Sequence, residues 1–194
     1  MGTTTRGVMI DVEHQILGED AEELWRFYDN IFDPLNAESP CRQSLHHSEF
    51  LALLESPNFV KLVARNSENT ILGLTTFAVL EDEMPLMPWI NPQFFKKRWP
   101  EFWGRIIYVP TICVPLNAQS VGTGQGIMTS ILEYMREHNI HLIGFDHSMG
   151  RIPYLPDLIM KVTKGKPIGQ FSERGELDHQ AYWLLADRNQ LPEE

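Results

Sequence analysis

The strand-to-helix junction across residues 105–138 constrains this chain more than any other stretch. Residues 105–114 are almost continuously apolar and rich in β-branched side chains, which suits a buried strand. A turn follows in which Gly122, Gly124 and Gly126 stand on alternate positions. Ile127, Ile131, Leu132 and Met135 then recur at helical spacing, which predicts a helix over 125–138. Residues 141–146 read as a short buried strand, so the junction opens a strand–helix–strand crossover and the sheet is partly parallel. A glycine turn leaves backbone N–H groups free at the helix N-terminus, where the macrodipole favours an anion. The turn therefore reads as a phosphate cradle or as a plain strand–helix turn. It is not a Walker loop, because no Gly-Lys-Ser/Thr follows, and its glycine spacing is not that of a dinucleotide fingerprint.

The rest of the chain supplies partners for that sheet. Residues 1–9 read as frayed, and 8–16 as a first strand in which Val8, Ile10 and Val12 alternate. Gly18-Glu19-Asp20 reads as a turn and N-cap for a helix carrying Ala21, Leu24, Trp25, Tyr28, Ile31 and Phe32 as far as Pro34. A second helix is expected over 44–55, stopped by Ser56-Pro57. Residues 59–65 and 70–80 form a hairpin around Asn66-Ser67-Glu68-Asn69. Residues 153–162 read as a further helix, 165–169 as a turn, and 171–186 as one or two final strands. The expected order is β-α-α-β-β-β-α-β-α-β, a mixed central sheet with helices on both faces, of the α+β or α/β-sandwich class. All of residues 1–194 fit one domain. The insert at 81–104 departs from the pattern, with four prolines and six large aromatics, among them Trp89, Phe94, Phe95 and Trp99. It is too long for a hairpin tip and too aromatic for a linker.

Composition narrows the function. A net charge of −10 with no long basic run argues against binding a nucleic-acid backbone. The two cysteines, Cys41 and Cys113, form neither a disulfide framework nor a metal pair, so no metal is expected. No apolar run is long enough for a membrane helix and residues 1–10 lack a signal-peptide pattern, so a soluble, cytoplasmic protein is expected.

With the glycine turn in place, the chain resembles the GCN5-related N-acetyltransferase (GNAT) superfamily. The element order agrees across about residues 8–186, and the motif itself across 112–136. The family motif Gln/Arg-x-x-Gly-x-Gly/Ala stands here as Gln119-Ser120-Val121-Gly122-Thr123-Gly124. The resemblance implies binding of acetyl-CoA or another acyl-CoA as co-substrate. Ile112 and Val114 would hold the pantetheine arm through their backbone, as if it were an added strand. Gln119, Ser120, Val121, Gly122, Thr123, Gly124 and Gln125 would hold the pyrophosphate. A backbone N–H near Val114 would steady the oxyanion. The implied activity is transfer of the acyl group to an amine of a small molecule by direct attack in a ternary complex.

The chain departs from the family at two points. Four steps separate Pro115 from Gln119 where the family has three. On the last helix the family often places a tyrosine that protonates the leaving thiolate, and the matching position here is Lys161. The nearest tyrosine is Tyr154, so the general acid is Tyr154, another residue, water, or absent.

Other residues carry competing readings. Glu81, first of Glu81-Asp82-Glu83, is the first choice for the base that accepts the amine's proton, against a solvated acidic rim. The insert, with Trp89, is an acceptor pocket or lid, or else a packed flap or a contact in a homodimer. Asp146 and His147 end the fifth strand beside the expected cleft, and Asp146 is a substrate-binding candidate. His138 and His141 suit a helix C-terminus better than a metal. Cys113 reads as a core thiol or an acyl-carrying nucleophile. Three functions follow: an acyltransferase, a non-catalytic acyl-CoA-binding or sensing module, and a structural domain with an empty turn.

Overall fold

The computed structural model of the chain describes residues 3–5, 7–36, 44–82, 91–115 and 122–145. These form one mixed sheet flanked by helices, with elements in the order β1 (Thr3–Thr5), β2 (Val8–Glu13), α1 (Gly18–Asn36), α2 (His47–Glu55), β3 (Val60–Arg65), β4 (Ile71–Val79), α3 (Pro92–Arg98), β5 (Ile106–Cys113), α4 (Thr123–Glu137) and β6 (Leu142–Phe145). The six strands lie side by side in sequence order. Neighbours from β1 to β5 are antiparallel, and β6 runs parallel to β5 through the α4 crossover.

Several boundaries differ from the sequence reading. Residues 3–5 are not frayed: they pair with β2 through a turn at Gly7, whose φ of 80° glycine adopts without strain. The first strand ends at Glu13 rather than at 16. Gly18-Glu19-Asp20 already belongs to α1, where the two acids favour the positive helix end, and Pro34 sits inside the last turn. The insert contains α3, which strand and turn signals did not reveal. Asn91 caps it by accepting the Gln93 N–H at 3.0 Å, and Pro92 takes the first position. The expected helix at 153–162 and strands at 171–186 lie outside the described residues.

Alternation along the strands builds two apolar layers. Val8, Ile10, Leu62, Ala64, Phe77, Ile107 and Val109 meet Ile127, Ile131 and Met135 of α4 on one face. Val63, Leu74, Ala78, Ile106 and Tyr108 meet Leu24 and Tyr28 of α1 and Phe50 and Leu54 of α2 on the other. Burial of large apolar side chains of this kind stabilises by roughly 1.5–3 kcal/mol each. The β3–β4 hairpin turns at Asn66, whose carboxamide oxygen accepts the N–H groups of Glu68 and Thr70, while Asn69 adopts a φ of 64°.

The face under α1 and α2 also carries a polar row. Register places Glu13, Lys61, Thr76 and Thr111 side by side on β2, β3, β4 and β5. Lys61 is fully buried and its ammonium donates to the carbonyls of His14 and Ser56, tying together the chain before α1 and the chain after α2. Burial pushes its pKa down to about 8, with Glu13 opposing. Burial also raises the Glu13 carboxyl.

Candidate acyl-donor site

The site is built at the end of β5. β5 keeps β4 on one edge along its length, and β6 pairs with its other edge over Ile106–Val109, as far as the last described residue of β6. Proline is tolerated inside a strand at a bulge, where its missing N–H breaks no regular ladder bond. The β4–β5 register shifts between Thr76 and Ala78, opposite Val109 and Pro110, a bulge that bends β5.

The end of β5 lies beside the start of α4. Gly122 occupies the N-cap, and among the described residues no side chain caps the helix. The first α-helical bond runs from the Gly126 N–H to the Gly122 carbonyl at 2.9 Å, so the N–H groups of Thr123, Gly124 and Gln125 have no carbonyl within the helix. No acid occupies the first turn, so nothing there competes with a bound anion. A Cβ on Gly124 would meet nothing within 4 Å, which leaves the face of this residue open. A strand end beside such a helix start offers hydrogen bonds first to an amide-bearing arm and then to phosphate.

Of the cofactor candidates, Ile112, Val114, Gly122, Thr123, Gly124 and Gln125 lie within the described residues, at the end of β5 and the start of α4. Ile112 and Val114 are partly buried against the α4 layer. Gln119, Ser120 and Val121 lie outside the described residues, as do Trp89, Asp146, His147 and Tyr154.

Glu81 is exposed just beyond β4. The adjacent Leu80 N–H bonds to the Ile106 carbonyl, so Glu81 sits beside the start of β5. Seven residues of strand, about 23 Å, separate Ile106 from Cys113 at the far end of β5. Asp82 is held by Lys96 at 2.6 Å. Cys113 is fully buried, and burial pushes its thiol well above the ordinary range, so a thiolate is disfavoured there.

Within the described residues the insert is a packed flap. Phe95, Trp99, Phe102 and Trp103 pack against the layer beneath α1 and α2, and Phe94 alone among the large apolar side chains of α3 is exposed. A Cβ on Gly144 would lie 3.3 Å from both the Phe95 and Tyr108 rings, so β6 needs glycine under this flap. His141 stacks on Phe102 and His138 on Tyr134. Among the described residues no three His, Cys, Asp or Glu side chains gather as a metal site. A separate groove of about 710 Å³, lined by Ile16, Leu17, Glu22, Leu51 and Glu55 among others, includes no residue of β5 or α4.

Three features escaped the sequence reading. Pro110 lies in a bulge of β5 against β4; a proline inside an apolar strand run was the available signal. The buried Thr75 hydroxyl donates to the Thr111 carbonyl at 2.6 Å, fixing β5 against β4. Gly73 abuts the start of α4 and the end of β5 together, and only the fold could show that.

No protein-family model matches the chain, and no curated protein sequence does. Solved structures do match. An aminoglycoside acetyltransferase from an uncultured soil metagenomic sample, in complex with trehalose, aligns over 92% of this chain and 97% of its own, at 19% identity and a TM-score of 0.54. The fold is that of the GCN5-related N-acetyltransferases. Two further structures share this GNAT architecture. A ribosomal-protein-alanine N-acetyltransferase from Brucella melitensis biovar Abortus 2308 aligns over 87% of this chain and 99% of its own, at 16% identity and a TM-score of 0.53. A predicted acetyltransferase from Clostridium acetobutylicum, solved with acetyl-CoA, aligns over 88% and 96%, at 16% identity and a TM-score of 0.50. At these identities the likeness is one of fold. Within the GNAT fold, the end of β5 and the start of α4 frame the proposed donor site of this chain.

Proposed function

We propose that this chain is an acyltransferase that moves an acetyl or similar group from acyl-CoA to the amine of a small molecule. The observation that carries the reading is the acid-free start of α4, whose first N–H groups have no carbonyl within the helix, set beside the end of β5. Backbone groups of Ile112 and Val114 are assigned to the pantetheine arm, and those of Gly122, Thr123, Gly124 and Gln125 to the pyrophosphate, with Gln119, Ser120 and Val121 completing the loop. The amine nitrogen attacks the thioester carbon, the C–S bond breaks, and the amine's proton passes to a base. Glu81 or water serves as that base, and Tyr154 or water returns a proton to the sulfur. Direct transfer is favoured over an acyl-cysteine because Cys113 is buried and its thiol is held protonated.

A small-molecule amine acceptor, with Trp89 and Asp146 near it, fits the acidic charge of the chain. A related fold has been solved in complex with sisomicin, which is an observation about that protein. The absence of a membrane-length apolar helix among the described residues fits a cytoplasmic location. The second reading is a non-catalytic acyl-CoA-binding module. It is favoured by Lys161 standing where the family often has its tyrosine and by the exposed position of Glu81.

Acetyl-CoA is expected to raise the Tm, and Gly122→Glu is expected to abolish that rise while the protein stays folded, because a carboxylate would replace the anion site. No shift for the native sequence at saturating acetyl-CoA sinks both readings. Thiol release from acetyl-CoA with an amine panel separates the enzyme from the binding module. Cys113→Ala should retain thiol release; its loss in a folded variant would make Cys113 the acyl carrier.

A further inference from the structure

Gly73 lies in β4, opposite Ala64 of β3 and one residue from the Leu74–Cys113 pair. A Cβ built there would lie 2.7 Å from the Thr123 methyl, 3.0 Å from Ile127 Cδ1 and 3.2 Å from the Cys113 carbonyl oxygen. Thr123 is the first residue of α4 and Cys113 the last of β5, so a single added Cβ would meet both the start of the helix and the end of the strand. Thr123 is fully buried, and its hydroxyl has no hydrogen-bond partner among the described residues. Its methyl group packs at the start of the helix against the Gly73 backbone.

We propose that Gly73 is a positioning residue for the acyl-donor site, setting the spacing between the α4 N-terminus and the end of β5. The proposal rests on the acyl-CoA reading of that site. Ordinary carbon–carbon contact lies near 3.5–4.0 Å, so an alanine methyl requires Thr123 to withdraw by roughly 1 Å. The Cys113 carbonyl belongs to the backbone and cannot rotate away. The N–H groups of α4 and the edge of β5 would then no longer match one ligand, and hydrogen bonds weaken steeply with such misalignment.

The test is titration of the full chain with acetyl-CoA, by calorimetry and by thermal shift. Gly73→Ala is expected to raise the acetyl-CoA Kd by about tenfold, the loss of one or two aligned hydrogen bonds. Thr123→Ser deletes the methyl group nearest the intruding Cβ while keeping the Thr123 backbone N–H, and its own acetyl-CoA Kd is measured as the reference for the double variant. Adding Thr123→Ser to Gly73→Ala should restore most of the affinity, which a merely destabilising role for Gly73 would not produce. A native protein that does not bind acetyl-CoA removes the acyl-CoA reading, and the positioning role with it. Native binding with an unchanged Kd for folded Gly73→Ala overturns the positioning role alone. If Gly73→Ala does not fold, the double variant decides: folding with near-native Kd supports the spacing role, and failure to fold or bind overturns it.

Discussion

The two faces of the sheet are built differently. The α4 face is a nearly apolar layer closed by one helix, and its proposed function lies in backbone groups at the end of that helix. The face under α1, α2 and the insert buries a lysine and two threonines and carries aromatic rings in contact with one another. Backbone donors need only glycine and a helix start, so their position survives wide sequence change. Side-chain features need particular partners from distant segments. The donor end is therefore the more generic half of the molecule, and the α1/α2 face is where this chain is individual.

Substitutions can break or sharpen that contrast. The largest effect is expected at Phe50, which is fully buried and lies 4.5 Å from Tyr28 between ring centroids. Phe50→Ala should cost about 3–5 kcal/mol in urea unfolding. The fraction that remains folded should still be stabilised by acetyl-CoA. Loss of that stabilisation would show that the two faces are not separable.

Tyr28→Phe comes next. The Tyr28 hydroxyl accepts the buried Leu45 N–H at 2.8 Å, so the variant strands a backbone donor, at a cost of about 1–3 kcal/mol. An unchanged urea midpoint would show that the N–H finds another partner.

Lys61 gives a pH test of the buried charge. Its folded pKa, about 8, lies below the ordinary 10.5. Below about pH 8 the lysine is charged in folded and unfolded chains alike, and the folded state carries the whole burial cost. Between about 8 and 10.5 the unfolded chain binds more protons, so this group makes stability rise with pH. The buried Cys113 thiol acts in the opposite sense above its ordinary 9.0, because the unfolded chain loses that proton first. The native-minus-Lys61→Met difference cancels the cysteine and should rise across the window. A flat difference would mean that the two carbonyls fully offset the burial of the ammonium.

The smallest effect is expected on the insert's surface. Lys96 and Asp82 are paired at 2.6 Å but both are substantially exposed. Lys96→Ala should cost less than about 1 kcal/mol. A larger loss in Tm would show that this pair anchors the flap on the sheet.

Much of the scaffold was legible because it rests on local periodicity. Ala21, Leu24 and Tyr28 mark α1, Ile127, Ile131 and Met135 mark α4, and alternation marks the strands. The start of α4 was legible for the same reason: Gly122 and Gly124 sit between a strand pattern and a helix pattern. β1 was missed because three threonines carry no hydrophobic alternation. α3 was missed because seven residues amid prolines and aromatics give too short a helical signal. Lys61 and Thr76 were read as ordinary members of strands, since only register and the helices above show them to be buried.

Among the described residues the sequence by itself determined the longer strands and helices other than β1 and α3, the crossover, and the glycine-lined helix start, because each follows from spacing along the chain. The tertiary structure decided which face hides Lys61 and why β4 carries glycine at position 73. Those facts depend on which segments meet across the sheet. Residues distant in sequence set them, through excluded volume and hydrogen bonding, and local periodicity carries no record of such meetings.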